Sequence, residues 1–163
     1  LCMHDSPAGF TWGNTASSVV VEIDPESPAT SPYWCCYQPP CSGAYLLHTL
    51  DGGVPEAVGA PGTAGLRSQS PVDVPPDAFR ADSMWWRMYR ILGAISESPV
   101  DRRDLARSLF DPVEERCLAN VASCLAGPVS ERGGTMRECA AVQMSEIERV
   151  LLDLEQRFSV GDN

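Results

Sequence analysis

Apolar residues in this chain follow two patterns. Up to residue 50 they come in short β-branched or aromatic runs, and from residue 83 onward they recur at helical spacing. Ser18-Val19-Val20-Val21-Glu22-Ile23 is β-branched and bounded by Asp24-Pro25, the mark of a short, mostly buried strand. Pro32-Tyr33-Trp34-Cys35-Cys36-Tyr37 is aromatic and closes at Pro39-Pro40, and Ala44-Tyr45-Leu46-Leu47-His48-Thr49-Leu50 stops at Asp51-Gly52-Gly53. Strands near 17–23, 32–37 and 44–50 with short connections predict an antiparallel meander, because parallel pairing needs crossovers of roughly a dozen residues or more.

The second half predicts helices that need a sheet to pack on. Asp82 or Ser83 caps the first, in which Trp85, Met88, Tyr89, Leu92 and Ile95 form one apolar stripe, with Arg87 and Arg90 on the other side. Ser98-Pro99-Val100-Asp101 has a cap, a proline at the first helical position and an acid in the first turn, so it opens another helix to about Phe110. Asp111-Pro112-Val113-Glu114 repeats that grammar and predicts a kink and a restart, with Val113, Cys117, Val121 and Cys124 or Leu125 buried and Gly127-Pro128 as the stop. A last helix is expected over 135–158, apolar at Met136, Cys139, Ala140, Met144, Ile147, Val150, Leu151, Leu154 and Phe158. Glu138, Glu146, Glu148, Asp153 and Glu155 line its polar side, read as a solvated face rather than a calcium site. A helix this long needs a partner, either the preceding helix as an antiparallel hairpin or another chain. Residues 52–82 are rich in Gly, Pro, Ala and Ser with no apolar period, and read as a loop along the domain edge. The organisation is one α+β domain in three segments: 1–51 sheet-forming, 52–82 Gly/Pro-rich loop, 83–163 helical.

The strand region also resembles a known family. Thr15-Ala16-Ser17-Ser18-Val19-Val20, then Trp34, then Pro40-Cys41-Ser42-Gly43-Ala44-Tyr45-Leu46, resembles the C-terminal half of the secernin and bacterial dipeptidase family. Cys2-Met3-His4 and the Trp85-Trp86 helix look like the same family. The resemblance implies an αββα sandwich of the N-terminal nucleophile hydrolase type, in which a chain-terminal Cys of the mature enzyme cleaves peptide or other amide bonds. It implies that the nucleophile is carried upstream of this segment and that the chain alone is inactive. The pocket candidates it leaves here are His4, Thr15 and Ser17. The implied partners are the N-terminal half of the same enzyme or a second subunit, and a peptide or amide substrate; a homo-oligomer is possible. The rival class is a non-catalytic binding or regulatory module of the same fold, and the residues upstream of Leu1 would separate the two.

Composition narrows these readings. With 163 residues, 44% hydrophobic and 21% charged, the chain is globular and long enough for a sizeable core. A net charge of −10 disfavours nucleic acid, whose phosphates such a surface repels. All twelve basic residues are Arg, which excludes Schiff-base and P-loop lysine chemistry. No apolar run approaches the roughly 18 residues that span a membrane, and no signal-peptide pattern is present. Leu1 in place of Met reads as a processed, trimmed or partial chain. Seven Cys without regular spacing argue against a disulfide framework and for reduced, cytoplasmic thiols.

Other site chemistries weaken on inspection. Zinc on Cys2, His4, Cys35, Cys36, Cys41 and His48 lacks a second paired knuckle, and neighbouring Cys35 and Cys36 point to opposite faces of a strand. No metal or cofactor is expected. Loss of Leu1 would leave Cys2 at a terminus where its own amine could act as base, but in the resemblance Cys2 is internal. Thr15, Ser17 and Ser18 with His4 or His48 would be a serine hydrolase only with a G-x-S-x-G elbow, and the flanking glycines are missing. Buried Cys117 and Cys124 read as small core residues.

Overall fold

The strands form where the β-branched and aromatic runs lie. The computed structural model describes Thr15 and residues 17–51, 83–97 and 99–160 (side chains of 97 and 99 excepted), so His4, Cys2 and the 52–82 loop lie outside the described residues. β1 (Ser17–Val21), β2 (Pro32–Tyr37) and β3 (Tyr45–Thr49) make an antiparallel sheet in the order β1-β2-β3. The register pairs Val20 with Trp34 and Trp34 with Leu47. β1 ends two residues earlier than expected. Glu22 N–H still donates to Pro32 O at 3.1 Å, but proline has no N–H to return a bond, so the ladder stops there.

Three helices follow: α1 (Met84–Glu97), α2 (Pro99–Leu125) and α3 (Val129–Arg157). The expected α1 stripe is rotated. Met84, Met88, Ile91 and Ile95 are buried, whereas Tyr89 is 49% exposed and Trp85 half-buried. Trp85 instead stacks on Tyr89 at 5.4 Å between centroids, and Trp86 meets both rings edge-on. Arg87, expected to face away, donates two 2.9 Å bonds to Glu155 and ties α1 to α3.

α2 does not restart at Pro112; it is one helix. The buried positions Ala106, Phe110, Val113, Cys117, Val121 and Cys124 run through the proline as one stripe. Burying that face holds together what the missing Pro112 N–H would separate. Arg107 adds a strap across the same turn by donating to Asp111 and, at 2.7 Å, to Glu114.

α3 begins at Val129, six residues ahead of the expected Thr135, and takes Gly133-Gly134 into its helical run. A Cβ on Gly133 would sit 2.8 Å from Asp51 Oδ2 and 3.4 Å from Thr30 Cγ2. The glycine therefore lets α3 lie close to Asp51, just after β3, and to Thr30 in the β1–β2 connection. Arg132 to Asp24 at 2.6 Å and Arg137 to Asp51 at 3.1 Å flank that contact and offset the roughly 1 kcal/mol helical cost of glycine.

α2 and α3 form the antiparallel hairpin, and it grips the sheet by the β3 edge rather than lying flat on one face. Trp34 and Leu47, on one sheet face, pack with Cys117, Val121, Cys124 and Met136. Leu46, on the opposite face, packs with Met88, Ile91, Phe110, Ile147 and Leu151. The hairpin thus crosses the edge, with one apolar cluster on each side. At the crossing, Glu114 accepts from Tyr45 N–H at 2.8 Å, while Gln143 accepts from Leu47 N–H at 2.7 Å and donates to Tyr45 O at 2.9 Å. Helix side chains finish the hydrogen bonding that a fourth strand would otherwise supply.

Candidate functional site

With β3 capped, the open part of the sheet is β1. In an antiparallel ladder, residues alternate between bonding a neighbouring strand and turning their backbone away from it. Because Glu22 bonds Pro32, the inward set is Ser18, Val20 and Glu22, and the N–H and C=O groups of Ser17, Val19 and Val21 face outwards. Among the described residues no strand lies beyond this edge. Val19, Val20 and Val21 are 56%, 51% and 55% exposed, which corrects the expectation of a mostly buried strand. β-branched residues made the strand, but the hairpin is spent on the opposite edge and does not reach them.

Each face of β1 borders an apolar recess. On one side, Val20 and Glu22 line a hollow of about 330 Å³ with Trp34, Tyr45, Glu114 and Leu118. On the other, Val21 and Ile23 line one of about 400 Å³ with Tyr33 and Leu50. Ser18 Oγ and Tyr45 OH, 2.9 Å apart, bridge β1 to β3 over β2 on the same face as the first hollow. Such a strand has open main-chain groups along its edge and room for side chains on alternate faces.

Of the sequence-predicted pocket residues, Thr15 and Ser17 are among the described residues. Thr15 is half-buried, Ser17 is exposed at the start of β1, and His4 lies outside the described residues. Ser17 pairs with Tyr37 and His48 with Tyr33. Those registers put Ser17 and His48 four β2 residues apart, about 13 Å along the strand, so His48 is no base for Ser17. His48 is buried and stacked on Tyr33 at 5.2 Å, its Nε2 has no hydrogen-bond partner among the described residues, and burial lowers its pKa below the ordinary value.

The thiols fit core duty better than nucleophilic duty. The six described cysteines are free. Burial raises the pKa of Cys35, Cys124 and Cys139, and pushes Cys117 up to about 12, with Cys139 adding to the rise and the Trp34 indole opposing it. A thiol so placed stays protonated, and the thiolate is the reactive form. Cys36 donates to Gln38 O at 3.4 Å inside the β2–β3 turn, where Gly43 is needed because a Cβ there would come within 2.8 Å of Cys36 Sγ. Among the described residues, no three His, Cys, Asp or Glu side chains converge as a metal site, and no helix is long and apolar enough to cross a membrane.

Sequence reasoning missed Glu114 and Gln143, which decide which sheet edge stays open. Gln143 sits on α3 one residue before a core methionine, and the only signal was a polar residue on the buried side of a helical stripe. No family profile, no curated protein and no solved structure matches this chain.

Proposed function

We propose that this chain is the C-terminal portion of a secernin-like, dipeptidase-family cysteine hydrolase acting on peptide or other amide bonds. On this reading it supplies sheet and helices to an αββα N-terminal nucleophile sandwich, and the nucleophile is carried upstream. The observation that carries the reading is the bare β1: three consecutive valines, each more than half exposed, on a strand otherwise well paired. Val19 and Val21 share one face of the strand, and apolar strand surface of this kind is what a second sheet layer covers. Of the family-like segments, Ser17–Val20 lies on this bare strand, while Trp34 in β2 and Leu46 in β3 are packed against the helices.

In that arrangement the α-amine of an upstream Cys takes the thiol proton, the sulfur attacks the scissile carbonyl, the amine hands the proton to the departing nitrogen as the C–N bond breaks, and water then hydrolyses the thioester. Residues of this chain wall the pocket, and Thr15 and Ser17 are the described candidates nearest the open strand. The test is dipeptide hydrolysis by the longer protein encoded around this segment, beside the isolated chain. The expected result is turnover by the longer protein that disappears when its N-terminal Cys is replaced by Ala, and none by the isolated chain. Turnover by the isolated chain that is lost on Cys2→Ala would place the nucleophile here instead. An inactive longer protein without an upstream Cys would favour the non-catalytic binding module.

A further inference from the structure

We infer that the outer edge of β1 pairs with β1 of a second copy of this chain, antiparallel about a two-fold axis at Val19. The inference concerns the strand edge and goes beyond the hydrolase reading, in which it is the sheet face that is covered.

The register makes this edge complementary to a second copy of itself. The outward-facing residues Ser17, Val19 and Val21 are spaced symmetrically about Val19, so a two-fold axis sets Val19 against Val19 and Ser17 against Val21. Opposed residues with outward groups exchange both bonds, so the three pairs satisfy every open group of both strands. The contact is self-complementary, as an isologous interface requires.

Charge gives the direction. The strand Ser17–Val21 carries no charge, and Glu22 follows it immediately. Parallel pairing would set the two Glu22 carboxylates side by side at about 5 Å, whereas the antiparallel axis separates their positions by six residues, about 20 Å. That exceeds the screening length of about 8 Å at physiological salt.

Among the described residues the strand itself carries none of the usual devices against pairing. Ser17–Val21 contains no Pro, Lys or inward charge, and its register with β2 is continuous, without a bulge. Pairing would join two three-stranded sheets into one of six strands, with each α2–α3 hairpin at an outer end on its own β3. Val19 and Val21 of each copy would then cover Val19 and Ser17 of the other on one face. The net charge of −10 per copy opposes approach, so the dimer should tighten as salt rises.

The test combines sedimentation of the full chain over a range of concentration and salt with amide hydrogen exchange of β1. The expected result is a monomer–dimer equilibrium shifted towards dimer by salt. In the dimer, the amides of Ser17, Val19 and Val21 gain protection, while Ser18 and Val20, already bonded to β2, are protected at every concentration. Val19→Pro removes one outward N–H without touching the β1–β2 ladder, and should abolish the dimer. Val19→Lys sets two ammonium groups across the axis and should weaken it, which keeps the test open if the proline variant fails to fold. A monomer at all concentrations and salts would overturn the inference. So would a dimer in which Ser17, Val19 and Val21 still exchange freely, since the copies would then be meeting through sheet faces.

Discussion

Gln143 holds the backbone of β3 through Leu47: the Leu47 N–H donates to Gln143 Oε1 at 2.7 Å, and the same amide returns a 2.9 Å bond from Nε2 to Tyr45 O. One side chain from the middle of α3 thus imitates a neighbouring strand over two residues. It does so between the two apolar clusters, where Gln143 is 3% exposed and water cannot stand in. Edge strands invite further pairing unless they are covered. Here the cover fixes how the helical hairpin docks as well.

Gln143→Ala should therefore cost more than a typical polar truncation. It leaves the Leu47 N–H and the Tyr45 carbonyl without partners beside the core, at about 1–3 kcal/mol for a buried group left unsatisfied. The expected loss is about 2–4 kcal/mol in urea unfolding. A loss below about 0.5 kcal/mol, within the range of ordinary surface substitutions, would mean that the bonds do not hold the edge.

Pro112→Ala should stabilise the protein. Proline in a helix interior costs about 3 kcal/mol through the lost bond and the ring clash, and α2 bears it because its buried stripe and the Arg107–Glu114 contact span the turn. Replacement restores an N–H that can reach the Ser108 carbonyl. An increase of about 1–3 kcal/mol is expected in the same assay. A decrease would show that the proline is needed for the shape of α2 against β3.

Acid should weaken the fold through His48. Burial lowers its folded pKa below the ordinary 6.5, so between that value and the lower folded one the unfolded chain binds more protons. Stability is then complete above about pH 6.5 and falls as pH drops through that window. His48→Phe keeps a ring on Tyr33 and removes the titration. Unfolding free energy measured from pH 7.5 to 5.5 should slope less in the variant than in the wild type. Parallel slopes would assign the acid sensitivity to other groups.

Much of the fold was legible as local chemistry. The three strand runs, Pro99 at a helix start and Gly127-Pro128 as a stop act through φ/ψ preference and periodicity, which neighbouring residues decide among themselves. The hairpin partner for the last helix was one of two stated options. The misreadings share a cause. The Pro112 restart and the Thr135 start assumed that a local breaker ends a helix, whereas a continuous buried stripe overrode the first, and the close approach of Gly133 to Asp51 with its flanking ion pairs overrode the second. The α1 stripe was rotated because Trp85 and Tyr89 scored as apolar, although together they form a stacked pair at the surface.

The candidate surface divides in the same way. The sequence by itself determined that Ser17–Val21 is an uncharged strand, because β-branched side chains prefer extended backbone wherever they sit. Only the tertiary structure decided that this strand would be the open one. The hairpin can satisfy one sheet edge, and Glu114 and Gln143 stand at the height of Tyr45 and Leu47, so the helices close β3 and leave β1 bare. That choice depends on hydrogen bonds between residues 69 and 96 positions apart in the chain, and no pattern within a strand or a helix records it.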